Sequence, residues 1–325
     1  MSEATSSLIG QDRALGQFLT AWHARRVHHA WLLAGPRGVG KASFARAAAK
    51  RVLTDAAGPP SGEGLDVPLS HPTSHLLAAG SHPDFRLVER IERPAGGLAR
   101  SITVDQVRGL HEMFSVTTSL SPWRVVIIDA ADDLESGGAN ALLKMLEEPP
   151  ANTIFFLVAH APGRLLPTIR SRCRRLDFER LDDAAMMSLL PAGSSSDVLR
   201  VAAGSPGQAF QAAALDLAPI EAEARAMMRE GDPDNARRAK LAAAVSGKAQ
   251  AERYAAFLDM VPALIVREAR DAAEPKRTRA LDAYAKARET VAIAPRVSLD
   301  PAATAFELGG ILASIADPAP ASLKR

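Results

Sequence analysis

The run Trp31-Leu-Leu-Ala-Gly-Pro-Arg-Gly-Val-Gly-Lys-Ala-Ser-Phe44 constrains the fold more than any other part of the chain. A short apolar segment, Trp31 to Ala34, leads into a glycine-rich turn and then a helical pattern, the order of strand, phosphate loop and helix. Gly35, Gly38 and Gly40 let the backbone turn tightly and aim its N–H groups inward. A helix starting near Lys41 adds the positive end of its dipole where a phosphate would sit. The pattern G-x-x-x-x-G-K-[ST] is complete except at its last position, where Ala42 offers no hydroxyl to Mg²⁺. A loop that keeps its lysine and loses its metal ligand points to a cradle of nucleotide shape without efficient turnover.

With 325 residues the chain has room for two or three domains and a sizeable core. Its formal net charge of +2 makes no global field for nucleic acid, so any such contact has to be local. The single cysteine, Cys173, excludes an internal disulfide framework and fits a reducing cytoplasm. The start, Met1 to Ser7, lacks the basic flank and apolar core of a signal peptide, and no apolar run reaches membrane-spanning length. A cytoplasmic protein without membrane contact is expected.

A strand is expected at Asp84 to Glu89, buried strands at Arg124 to Asp129 and Thr153 to Val158, and a shorter edge-like strand at Arg174 to Phe178. Asp129 ends its strand in a carboxylate and should point into the crevice that holds Lys41, because open α/β sheets bind ligands at strand carboxyl ends. The helix after the phosphate loop is read to about Leu53, followed by a breaker-rich insertion from Ala56 to Gly64. His71, His75 and His82 follow among prolines and read as a surface loop, since zinc needs a closed ligand set and no cysteine is near. His28 and His29 read as a solvated turn whose side chains diverge. A turn is expected at Pro94 to Gly97, and Thr103 with Gln106 forms a capping box that opens one helix bearing Val107, Leu110 and Phe114. A further helix, Gly138 to Glu148, stops at Pro149-Pro150.

Alternating strands and helices behind a phosphate loop imply an α/β domain with a parallel sheet, residues 1–179. Beyond it the strand signal vanishes. A small helical lid domain is expected at 180–218, with a short helix near Asp197 to Ala203, and an all-α domain at 219–325. Breaks in the latter are expected at Gly231 to Pro233, Glu274-Pro275, Ala294-Pro295 and Asp300-Pro301, with a frayed tail from Pro318.

A P-loop ATPase of this layout needs a lysine, a metal-binding hydroxyl and aspartate, and a carboxylate to orient water. Lys41 and Asp129 are present, but Ala42 and Ala130 stand where the hydroxyl and a glutamate would serve. Asp132 and Asp133 lie too far along the turn for water activation. Arg170, Arg172, Arg174 and Arg175 form a basic cluster with two readings. They are solvated charges at a helix C-terminus, or one of them reaches a neighbour's γ-phosphate.

Taken together, Leu8-Ile-Gly-Gln11, His29 to Lys41, Ser81-His-Pro-Asp84, Asn140-Ala-Leu-Leu-Lys-Met-Leu-Glu-Glu-Pro-Pro150 and Leu165 to Cys173 resemble the bacterial clamp-loader family of DNA polymerase III. The resemblance covers roughly the first 180 residues. It implies an AAA+ fold: a RecA-like domain, the small lid, and a helical collar that assembles with partners. Those partners would be the gamma/tau motor subunits and delta, with the sliding clamp and primed DNA reached through the complex. The resemblance makes Arg172 a trans arginine finger and the glycine loop with Lys41 and Asp129 a degenerate nucleotide site, so this chain is not expected to be an ATPase by itself. Motor subunits carry a lid arginine after a Gly-Ser pair, and here Gly207 replaces it. No cofactor is required on this reading, although Lys41 leaves weak ATP or ADP binding open. Many relatives carry a four-cysteine zinc module that Thr54 to Phe85 lacks, so no zinc is expected. Two rival readings are an active motor or unrelated P-loop ATPase, and a duplex-binding protein acting alone. The balanced charge and sparse aromatics argue against the last.

Overall fold

A computed structural model describes residues 8–58, 62, 64–92, 98–190, 199 and 202–317. Successive side chains of a strand face opposite sides, and here both sides are buried. Trp31 and Leu33 of β1 (Ala30–Ala34) enter one core with Val125, Ile127, Phe156 and Leu176. Leu32 and Ala34 enter the other with Val126, Ile128, Phe155 and Leu157. The continuous apolar runs are thus strands covered on two faces. With β2 (Phe85–Glu89), β3 (Arg124–Asp129), β4 (Thr153–Ala159) and β5 (Arg174–Asp177) they form a five-stranded sheet, ordered β2-β3-β4-β1-β5. Every pairing is parallel. Helix α1 (Asp12–His23) and α2 (Lys41–Ala57) cover the first face, where Phe18 packs edge-on against Trp31 and Phe44.

Several expectations need correction. Helix α2 runs past Leu53 to Ala57, because buried Arg51 bonds Asp55 one turn on at 2.7 Å. The same guanidinium donates to the carbonyls of Gly62 and Gly64 and so draws the insertion onto the helix. The segment with His71, His75 and His82 is not a surface loop. It contains helix α3 (Pro72–Ala78), capped by the His71 ring, which accepts from the Thr73 N–H at 3.2 Å. Buried His82 accepts in the same way from the Asp84 N–H. Asp84 in turn accepts from the backbone N–H groups of Ser119, Leu120 and Ser121 at 2.8–3.0 Å. The capping box forms as read, but Gly109 ends α4 (Val104–Arg108), and α5 (Leu110–Ser115) starts afresh. The turn at Pro94 to Gly97 lies outside the described residues.

The rings of His28 and His29 do not diverge; they stack with centroids 4.4 Å apart. The His28 ring folds back over the chain onto Ala30 where β1 begins, its Nδ1 lying 2.9 Å from the Ala30 carbonyl oxygen and 3.2 Å from the Ala30 nitrogen. Helix α6 (Ser136–Glu147) ends ahead of the paired prolines, and α7 (Pro167–Ser171) precedes β5.

The chain divides into two compact units. The first holds residues 1–190 together with 204–207, and the second holds 191–203 together with 208–325. Residues of the expected 180–218 section are therefore shared between them. Helix α8 (Asp183–Leu189) lies in the first, capped by Asp182 as its carboxylate accepts from the Ala185 N–H. The short helix expected near Asp197 to Ala203 falls largely outside the described residues.

The second unit has helices and no strand among its described residues. After α9 (Pro206–Ala214) come α10 (Ala218–Glu230), α11 (Ala236–Val245), α12 (Ala251–Asp271), α13 (Lys276–Val297) and α14 (Pro301–Ala313). Met227, Leu241, Phe257, Val261, Leu308 and Leu312 fill its core. Helix α13 turns alanines inward, Ala280, Ala283 and Ala287, which lets neighbouring helices approach closely. The break expected at Ala294-Pro295 is absent, since α13 continues to Val297. At the expected Asp300-Pro301 break, Asp300 caps α14 with Pro301 at its first position.

Candidate functional site

Parallel register brings three strand ends to one place. Ala34 pairs with Ala159 and Asp129 with Val158, so the phosphate loop after β1, His160 after β4 and Asp129 of β3 share the carboxyl edge. Gly35 is required there, because a Cβ would stand 2.2 Å from the Phe178 carbonyl oxygen. Gly40 caps α2 and Lys41 opens it.

Lys41 is buried, with 2% of its surface exposed. Its Nζ donates to the carbonyl oxygens of Gly35, at 2.7 Å, and Pro36. Burial lowers its pKa to about 8, against the opposing pull of Asp132 and Asp129. Burial raises the Asp129 pKa, offset by Arg46 and reinforced by Glu89. Lys41 and Asp129 thus sense each other in one crevice, as the strand order requires.

Asp132 is committed elsewhere: its two oxygens accept from the backbone N–H groups of His160 and Ala161 at 3.0 and 2.9 Å. Asp133 pairs with Arg90 at 3.2 Å. From the far side, the segment after α8 closes on the loop. The Gly207 N–H donates to the Gly38 carbonyl at 2.9 Å, and Ser205 Oγ donates to the Arg37 carbonyl at 2.9 Å. A Cβ at Gly207 would lie 2.9 Å from Gly38 Cα, so a side chain at this position requires the phosphate loop to move. Buried Gln11 adds a third tie, from Nε2 to the carbonyls of Glu179 at 3.0 Å and Val39 at 3.4 Å.

Arg172 lies apart from these groups, in the turn between α7 and β5. It pairs with Glu147 at 2.8 Å and donates to the Thr168 carbonyl at 3.1 Å. The pairing joins the Asn140 to Pro150 and Leu165 to Cys173 motifs at one corner. Ile169 and Cys173 anchor that corner in the core, and burial pushes the Cys173 thiol up to about 12, which leaves it unreactive.

The sequence reading missed His160, Ser205 and the role of Gln11. His160 was signalled only by being the first polar residue after a buried strand at the ligand-binding end of the sheet. Its Nδ1 is buried and has no hydrogen-bond partner, and burial with repulsion from Lys41 and Arg37 lowers its pKa to about 4. A folded-state value below the ordinary 6.5 means the unfolded chain binds more protons between those limits. Stability should therefore fall as pH drops from 6.5 towards 4, by up to about 3 kcal/mol from this group. His29 and His82, also lowered by burial, act in the same direction. Urea unfolding at successive pH values should give a flatter profile for His160→Gln. A profile identical to that of the unchanged chain contradicts the assignment.

The sequence profile of the family described as "DNA polymerase III, delta subunit" matches residues 10–182, just over half the chain. The chain belongs to the DNA polymerase III delta prime family. It is 37% identical over 187 residues to the delta prime subunit of Pseudomonas aeruginosa, covering 55% of this chain and 53% of that protein. For delta prime of Escherichia coli the identity is 34% over 206 residues, with 60% and 57% covered. The tau subunit of Bacillus subtilis is 32% identical over 198 residues, 61% of this chain and 33% of tau. The chain's match spans about half the length of these delta prime relatives. A solved gamma-subunit-related protein of DNA polymerase III from Thermotoga maritima aligns with a TM-score of 0.50 at 15% identity, covering 91% of this chain and 98% of its own. Likeness at that identity is one of fold, and the fold is AAA+. No helix among the described residues is long and apolar enough to cross a membrane.

Proposed function

We infer that this chain serves as a silent AAA+ subunit of a clamp loader, working in the cytoplasm beside gamma/tau motor subunits and delta. It acts on the sliding clamp and primed DNA through the complex. One observation carries the reading: the phosphate loop is satisfied by the chain's own groups. The ammonium of Lys41 rests on the Gly35 and Pro36 carbonyls, and Gly207 is hydrogen-bonded to Gly38 where motor subunits would place an arginine. The groups present do not fit Mg²⁺-dependent turnover: Ala42 has no oxygen for the metal, burial disfavours the charged form of Asp129, and Asp132 is spent on two amides. Zinc has no role in this reading. Any ATP or ADP would be held weakly, through Lys41 and the loop amides alone.

The relatives' names support the assembly role, and Arg172 at its anchored corner supplies the group that a neighbouring pocket lacks. The purified chain should release no phosphate from Mg-ATP above a Lys41→Ala control. Brisk hydrolysis abolished by that substitution makes the chain a motor in its own right and sinks the proposal.

A further inference from the structure

Helix α1 buries Ala14, Phe18 and Ala21 and turns Arg13, Gly16, Gln17 and Thr20 outwards at spacings of three and four. These residues, with Arg26 and with Arg174 of β5, line a groove of about 680 Å³ at the edge of the sheet. The Arg174 guanidinium is fixed in place, stacked over the buried Trp31 ring at 5.1 Å. Arg13 and Arg26 are exposed, and among the described residues neither makes an ion pair or side-chain hydrogen bond. Asp12 is the sole carboxylate in the lining, so three guanidinium groups face one negative charge.

The floor of the groove is equally telling. Gly16 sits inside a regular helix, where glycine weakens the structure, yet a Cβ there would meet nothing within 4 Å. Neither a turn nor internal packing calls for it. Its effect is to leave the helix backbone open to close approach from outside. Glycine and alanine offer no pocket for an apolar anchor, as an acidic protein partner would need, and no aromatic in the lining can stack on a base. The charged groups of the groove are planar guanidinium forks, which match phosphate oxygens.

We propose that the groove between α1 and β5 holds the phosphodiester backbone of a nucleic-acid strand, gripped by Arg13, Arg26 and Arg174 without reading its bases. This site is separate from the phosphate loop and stands whether or not the chain turns over nucleotide. The near-balanced overall charge does not oppose it, because the contact is confined to one groove.

The test is fluorescence anisotropy of the full chain with labelled mixed-sequence oligonucleotides, single-stranded and duplex, between about 50 and 200 mM salt. Replacing all three arginines by alanine should weaken binding at low salt at least about tenfold. It should lower the slope of log K against log salt by about 2 on single strands and about 3 on duplex. Because Arg174 rests on Trp31, the surface pair Arg13→Glu with Arg26→Glu is measured beside it, and should lose binding while keeping the melting curve. Gly16→Leu fills the floor and should also weaken binding. Failure of the unchanged chain to hold either oligonucleotide at low salt overturns the proposal. So does an unaltered salt slope in the variants, or equal competition by a polyglutamate peptide, which would assign the groove to an acidic protein.

Discussion

Under the trans role proposed for Arg172, its replacement by alanine should leave this chain folded and cut ATP hydrolysis at an adjoining subunit's site by about 10³ to 10⁵-fold in a reconstituted complex. The two halves of that expectation come from one geometry. The ion pair with Glu147 joins side chains that are 36% and 43% exposed, and such pairs contribute at most about 1 kcal/mol. Its loss costs the fold little, and the same weakness is what the proposed role requires, since the guanidinium would have to leave Glu147 to reach a phosphate on an adjoining subunit. The backbone beneath does not share that freedom, since Ile169 and Cys173 hold the turn in the core. Arg172→Lys keeps the charge without the planar fork and should recover only part of the rate. Arg170→Ala and Arg175→Ala distinguish this role from that of solvated charges at a helix end, and both should leave turnover near normal. Full hydrolysis by the Arg172→Ala complex is the outcome that refutes the assignment.

Arg51→Met should be the most damaging single change to the fold, at about 3–5 kcal/mol. Arg51 and Asp55 side chains are 1% and 7% exposed, and Asp55 also accepts from Trp22 Nε1 at 3.0 Å. Methionine keeps much of the volume but strands a buried carboxylate and abandons the carbonyls of Gly62 and Gly64. For a unit of this size the melting temperature should drop by about 10 °C. The double change Arg51→Met with Asp55→Leu should recover part of the loss, because removing both charges is far less costly than orphaning one. Urea unfolding of the three proteins measures all of this, and a loss under about 1 kcal/mol for the single variant would show that water reaches the pair.

The sheet was legible because its central strands are buried on both faces and so read as unbroken apolar runs. The loop was legible because tight turns about a phosphate demand glycine. Capping at Thr103 was legible from local residue order, since its hydrogen bonds span only three positions. The segment from 54 to 85 misled for the opposite reason. Its prolines, histidines and glycines look like a loop, while its order comes from Arg51 and from histidine rings that accept from nearby amides. Contacts between distant parts of the chain left no pattern at all: Gly207 against Gly38, Gln11 against Glu179, and Asp132 against the amides after β4. Pro295 misled because a proline close to a helix's end need not stop it.

The Asp84 carboxylate, gathering three amides just ahead of β3, has a consequence for how the outer part of the sheet is aligned. The same residue's carbonyl accepts from the Val125 N–H at 3.0 Å, the first rung between the two strands. Sliding β2 by one position would pull the carboxylate off its amides and also turn Val88 from oil to water. A four-letter signature that reads as a mark of kinship is, in mechanical terms, the zero point of a ruler from which every later rung is counted.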